Sequence, residues 1–152
     1  MTINKGIIPD VVLCAESTNA KIDSFAVGVA VFKNHSLLLV RRTKHDFLGG
    51  MWEIPGGGVL SGESFADAAR RELQEETGMV IKEITGMFQG FDYENSSHQK
   101  IRQINYVVTV EAGGITLNPQ EHDVFAWIEK ETLSQYPMSS EMASCIHALL
   151  DE

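Results

Sequence analysis

Residues 57–79 read GGVLSGESFADAARRELQEETGM. Within this stretch, residues 64–77 predict a helix. Ser64 has the hydroxyl of an N-cap, Asp67 follows three residues later, and Gly78 is the residue type that ends helices in the left-handed conformation. At about 100° per residue, Glu72, Glu75 and Glu76 fall within an arc of about 100° on one face. Ala66, Ala69 and Leu73 form the adjoining apolar stripe, which is expected to pack on a sheet. Three carboxylates therefore converge beside the core. They lie next to Gly56, Gly57 and Gly58, a run that lets a ligand or metal approach the backbone closely. Like charges at this spacing repel and weaken a helix. A hard divalent cation relieves the repulsion, and Mg²⁺ prefers a few carboxylates together with water and substrate phosphate.

An ExxEE pattern alone is ordinarily a solvated acidic face; the flanking residues decide otherwise here. Gly57 is followed after five residues by Glu63. Seven more lead to Arg71, Glu72 and Leu73, then Glu75, Glu76, Gly78 and Met79. This arrangement resembles the box of the Nudix hydrolase family and fills its every specified position. Seven of these are fixed identities, so chance agreement is on the order of 10⁻⁹ to 10⁻⁸ per starting point. The resemblance implies a Nudix fold of the MutT-like branch, an α/β/α sandwich with a mixed sheet between helices, over about residues 23–150. It implies that Glu72, Glu75 and Glu76 bind metal, that the carbonyl of Gly56 adds a ligand, and that Arg71 orients a helix carboxylate. It further implies that Glu63 positions the loop, and that one box glutamate acts as base for the attacking water. Glu121, in NPQEHDVFAW, is similar in placement to a downstream MutT-type glutamate that binds metal or assists the base.

Outward from the box, residues 25–32 (FAVGVAVF) and 37–42 (LLLVRR) predict buried strands joined as a hairpin through Asn34 and His35. MWEIP at 51–55 predicts a short extended piece that ends at Pro55. Residues 79–93, 101–111 and 123–128 carry strand character, and 138–150 predict a C-terminal helix with an apolar face. The order is that of a mixed α/β domain with helices packed on a sheet. The domain is expected over 23–152. Residues 1–22 are an N-terminal extension, in which VVLCAE is open to being an extra strand.

Arg41 and Arg42 end the strand before the box, where MutT-like members face the nucleotide; one of them, Arg42 by preference, is expected to contact phosphate or base. Gly57 is expected beside the substrate. Phe47 and Trp52 are aromatic candidates for stacking on a base, with a core position equally open for Trp52, and Phe91 and Tyr93 are similar candidates. Trp127 is expected in the core. His122 is expected as an exposed loop residue. Ser140 stands where MutT-type enzymes carry an asparagine that reads oxidised guanine, and a hydroxyl cannot reproduce an amide's paired donor and acceptor. No proline lies between Pro55 and Pro119, so the marker of ADP-ribose-type relatives is missing.

A formal net charge of −9 argues against broad nucleic-acid binding, which rests on clustered Lys and Arg. It also means that cations must bridge this chain to an acidic substrate. Cys14 and Cys145 fit no disulfide framework or zinc pattern. No apolar run suits a membrane span or a signal peptide, so a cytoplasmic protein is expected. The resemblance thus implies a Mg²⁺-dependent hydrolase, with Mn²⁺ as a substitute ion. It would cleave a nucleoside triphosphate to the monophosphate and pyrophosphate. Larger nucleoside diphosphate conjugates, a non-catalytic nucleotide-binding module and a homodimer are the alternatives left open.

Overall fold

The apolar runs of the central strands predict burial on both faces, and the computed structural model, which describes residues 6–46 and 48–151, has that arrangement. Strand β1 (Ser24–Lys33) turns through Asn34, whose φ of 58° lies in the left-handed region, into β2 (Ser36–Arg42). Two short strands follow, β3 (Trp52–Glu53) and β4 (Gly56–Gly58). Helix α2 (Phe65–Thr77) comes next, after helix α1 (Asp10–Asn19) near the N-terminus. The chain then forms β5 (Ile81–Glu94), β6 (Lys100–Val110), β7 (His122–Ile128), a 3₁₀ turn at Lys130–Gln135 and helix α3 (Ser140–Leu150).

The seven-stranded sheet has the order β3-β2-β1-β6-β5, with β4 on β1 and β7 on β2. The β1–β6 pair is parallel, which makes the sheet mixed. β1 is shared: Phe32 and Lys33 pair with β2, while Ala26–Gly28 pair with β4. Ile54 and Pro55 therefore carry the chain from one part of the sheet to the other.

Successive side chains of a strand point to opposite faces, and the core divides accordingly. Val27, Val29, Val31, Leu38, Ile104, Tyr106 and Val108 pack with Leu13 of α1 and Phe65, Ala68, Ala69 and Leu73 of α2. Ala30, Leu37, Leu39, Val107 and Ile128 pack with Met142, Cys145, Ile146 and Leu149 of α3. This is the expected α/β/α sandwich. The α2 stripe differs slightly from the one predicted: Phe65 and Ala68 are buried, and Ala66 lies at the margin. Trp127 is half-buried at the periphery of the core, with Lys33 Nζ 6.0 Å from its ring centroid.

The N-terminal segment read as a candidate strand is helical from Asp10. The β-branched Val11 and Val12 favour a strand locally, but both are exposed, and burial follows helical spacing through Leu13 and Ser17. Asp10 also accepts a bond from Phe65 N–H at 3.0 Å, so α1 caps the start of α2. Ser64 Oγ accepts from Asp67 N–H at 3.0 Å, and Gly78 ends the helix at φ 75°. Among the described residues, no helix is long and apolar enough to cross a membrane.

Candidate active site

Helix α2 aims its carboxylates unequally. Glu72 and Glu76 are buried, at 8% and 2% exposure, whereas Glu75 reaches solvent. Glu76 accepts from Gly56 N–H at 3.1 Å. Burial, and next the charges of Glu53, Glu121 and Glu72, push its pKa up to about 9 against the pull of the Gly56 N–H. Burial likewise raises Glu72, opposed by Arg71. Gly57 leaves room for the Glu72 carboxyl group: a Cβ there would overlap it and push that carboxylate aside.

Arg71 organises the rim. Its Nε and Nη2 fork onto the two oxygens of Glu63 at 2.8 and 2.9 Å, the bidentate geometry that a guanidinium favours. Nη2 also donates to the Gly58 carbonyl at 2.8 Å, and Nη1 to Glu72 at 2.8 Å and Glu75 at 3.3 Å. The bond from Arg71, followed by that from Leu60 N–H, holds the Glu63 carboxyl down at about 2. Arg71 is itself raised, first by Glu63.

Two residues that sequence reasoning did not place complete the cluster. Glu53 of β3 accepts from Arg42 Nη1 on both its oxygens, at 3.2 and 3.1 Å, and Glu53 Oε2 meets His122 Nε2 at 2.9 Å. His122 is not the exposed loop residue expected. It is 2% exposed, and its Nδ1 lies 3.8 Å from Glu76 Oε1 without a hydrogen-bond partner. The register of β7 on β2 shifts between Arg41 and Arg42, and this sets His122 opposite Arg42 at the buried start of the strand. Ligand atoms of Glu53, Glu76 and His122 all lie within 4.8 Å of one another. Glu121, half-buried beside them, accepts weakly from Asn118 Nδ2 at 3.4 Å and adds its charge to those raising Glu72 and Glu76.

A cavity of about 460 Å³ opens from this cluster. Arg42, Glu53, Gly56 and Gly57 border it, Ile54, Phe91, Tyr93 and Met142 give it apolar walls, and Gln103, Ser139 and Glu141 add polar groups. Neighbouring strand residues face opposite ways, and the two arginines separate on that basis. Arg42 lines the cavity, bonded to Glu53 and to Asp46 at 2.9 Å. Arg41 lies outside the lining, forked onto Asp123 at 2.9 and 3.1 Å with its guanidinium over Trp52. Trp52 meets Tyr136 edge-on at 4.9 Å, as a packing residue does. Ser140 is exposed and bonds Glu141, while its neighbours Ser139 and Glu141 border the cavity. Phe47 lies outside the described residues.

The comparisons with known proteins agree with this architecture. The NUDIX domain profile matches residues 24–149. An RNA pyrophosphohydrolase from Bartonella clarridgeiae is 32% identical over 139 residues, which span 74% of this chain and 80% of that protein. Nucleoside triphosphatase NudI from Escherichia fergusonii is 32% identical over 99 residues, spanning 59% and 70%. A MutT Nudix hydrolase structure from Burkholderia pseudomallei superposes with a TM-score of 0.71 at 22% identity, covering 85% of this chain and 98% of that one. A mixed sheet between helices and a complete box running from the glycine turn through α2 define a hydrolase of phosphorus anhydrides. The chain belongs to the Nudix family, as one of its pyrophosphohydrolases.

Proposed function

We propose that this hydrolase cleaves a nucleoside triphosphate-like substrate to the nucleoside monophosphate and pyrophosphate, with Mg²⁺ as its ion and Mn²⁺ as a substitute. The observation that carries this reading is the junction of two features. Buried, mutually repelling carboxylates, Glu72 and Glu76, stand behind Gly56 and Gly57 at one end of a cavity with aromatic and amide groups along its walls. The ligands in this reading are Glu72, Glu75, Glu76, Glu121 and the Gly56 carbonyl, oxygen donors of the kind a hard divalent cation prefers, although the trio whose ligand atoms lie within 4.8 Å of one another among the described residues is Glu53, Glu76 and His122. The raised pKa of Glu76 marks a carboxylate whose buried charge a cation would offset.

When bound, such an ion lowers the pKa of a water and neutralises pyrophosphate oxygens. The chain's own contribution is positioning. Arg71 fixes Glu72 and ties Glu63 to the Gly58 carbonyl, so the glycine turn and the helix keep one geometry. Phe91 and Tyr93, with ring centroids 5.9 Å apart, offer faces for a base. Arg42 lends positive charge to the cavity wall nearest the cluster while anchored to Glu53 and Asp46.

The test is product analysis. The protein is incubated with Mg²⁺ and separate nucleoside triphosphates, dinucleoside polyphosphates and nucleotide sugars, and released pyrophosphate, phosphate and monophosphate are separated. Monophosphate plus pyrophosphate from triphosphates supports the proposal. Turnover of only the larger conjugates moves the assignment to them, and no turnover across the panel leaves a nucleotide-binding module.

A further inference from the structure

The Nδ1 atom of His122 is the sole buried side-chain nitrogen or oxygen among the described residues that lacks a hydrogen-bond partner. It sits on a side chain 3% exposed and faces Glu76 Oε1 across 3.8 Å. On the other side of the ring, Nε2 is 2.9 Å from Glu53 Oε2. In the tautomer whose Nε2–H donates to Glu53, Nδ1 turns a lone pair toward Glu76. Two acceptors facing each other in a buried site are relieved by a proton or by a cation that takes its place, and the second case gives both atoms to the ion. Glu53 cannot supply the proton, because its own oxygens are occupied by Arg42 and the His122 N–H.

We propose that His122 Nδ1 is a nitrogen ligand to a transition-type divalent cation, Mn²⁺, Co²⁺ or Zn²⁺, shared with Glu76, and that Glu53 is the carboxylate that orients its ring. This rests on the reading that the box glutamates bind a divalent cation. A carboxylate holding one imidazole nitrogen while the other points at a metal is the recurring arrangement of histidine ligands. An ion about 2.1 Å from each atom would subtend about 130° across the present 3.8 Å, so the two atoms need to close by about 0.4 Å to reach a tetrahedral angle. Imidazole suits the later transition ions best, and affinity for a nitrogen-containing site rises from Mn²⁺ through Co²⁺, whereas Mg²⁺ favours oxygen. The set therefore selects among divalent cations in a way that the box carboxylates alone do not.

The test loads metal-free protein with Mn²⁺ alone and records pulsed electron paramagnetic resonance. Modulation from ¹⁴N is expected, and it should change when histidine is labelled with ¹⁵N. In His122→Ala the nitrogen signal should vanish, and Mn²⁺ affinity should fall about 10–100-fold while Mg²⁺ affinity changes less than about threefold. Glu53→Gln should weaken Mn²⁺ by about tenfold or more through loss of ring orientation. Wild-type Mn²⁺ bound through oxygen alone overturns the proposal, as does an equal loss of both ions in His122→Ala. If that variant does not fold, the ¹⁵N comparison in wild-type protein decides. Oxygen-only Mn²⁺ that Glu76→Gln releases leaves the proposed function standing and removes His122. Failure of wild-type protein to bind either ion removes both.

Discussion

Replacing Glu76 with Gln keeps the shape of the side chain and removes its ability to ionise, so the variant isolates the electrostatic state of the cluster. The folded pKa, pushed up to about 9, lies above the ordinary 4.5 of an unfolded chain. The folded protein therefore holds a proton that the unfolded chain releases. The stabilisation from that proton is complete below pH 4.5 and is lost as pH rises toward 9. At pH 7.5 the loss reaches about 4 kcal/mol as an upper value, or about 8–16 °C in Tm for a domain of this length. The amide of Glu76→Gln carries no such dependence and can still accept from Gly56 N–H. With a chelator present, wild type and variant should melt together near pH 5 and diverge as pH rises, with the variant higher. Mg²⁺ should then raise the wild-type Tm and leave the variant unmoved, because an ion stabilises only the state that binds it. Turnover in the variant should fall at least about a hundredfold. Calorimetry at several pH values, with and without Mg²⁺, reads the stability changes, and the product assay reads turnover. A Tm difference that stays flat from about pH 5 to 8 in chelator would refute the reasoning.

Arg71→Ala removes charge-assisted bonds to Glu63, Glu72 and Gly58 and should lower stability by about 2–4 kcal/mol in thermal or urea melts. Arg71→Lys should recover only part of this, since an ammonium cannot reproduce the fork. The Glu63 carboxyl, held at about 2, lies below its unfolded value, so its stabilisation is present above pH 4.5 and is lost as pH falls through 2. Arg71→Gln should therefore flatten the fall in Tm between about pH 5 and 2. Gly57→Ala drives a methyl into the Glu72 carboxyl and should lower cation affinity at least about tenfold by titration calorimetry, with little change in far-ultraviolet circular dichroism. Phe91→Ala, if the ring stacks a base, should raise KM by about 5–150-fold with kcat nearly unchanged, a stacking loss of about 1–3 kcal/mol.

The helix that bears the carboxylates was legible because everything that defines it is local. Its cap, its left-handed stop and the spacing of Glu72 and Glu76 need no knowledge of the rest of the chain. The same holds for the β1–β2 hairpin, whose apolar run and Asn34 turn are short-range signals. Helical spacing also set Glu75 near Glu76, but it could not say that the edge of the buried face would fall between them. For the N-terminal segment, local preference pointed toward a strand, and packing of Leu13 on the core together with the Asp10 cap on α2 made it a helix.

The amino-acid sequence by itself determined the family, the carboxylate-bearing helix and the order of the main strands and helices after the N-terminal segment, because these follow from fixed spacings and from the period of apolar residues. Tertiary structure alone decided the partners of those carboxylates. Glu53 stands 69 positions from His122 and Gly56 stands 20 from Glu76. They meet only because Ile54 and Pro55 carry the chain between two parts of one sheet, and because β7 slips its register on β2. Contacts of that kind depend on which strands pair across long separations and on an irregular register between Arg41 and Arg42, which the spacing of residues within one element does not specify.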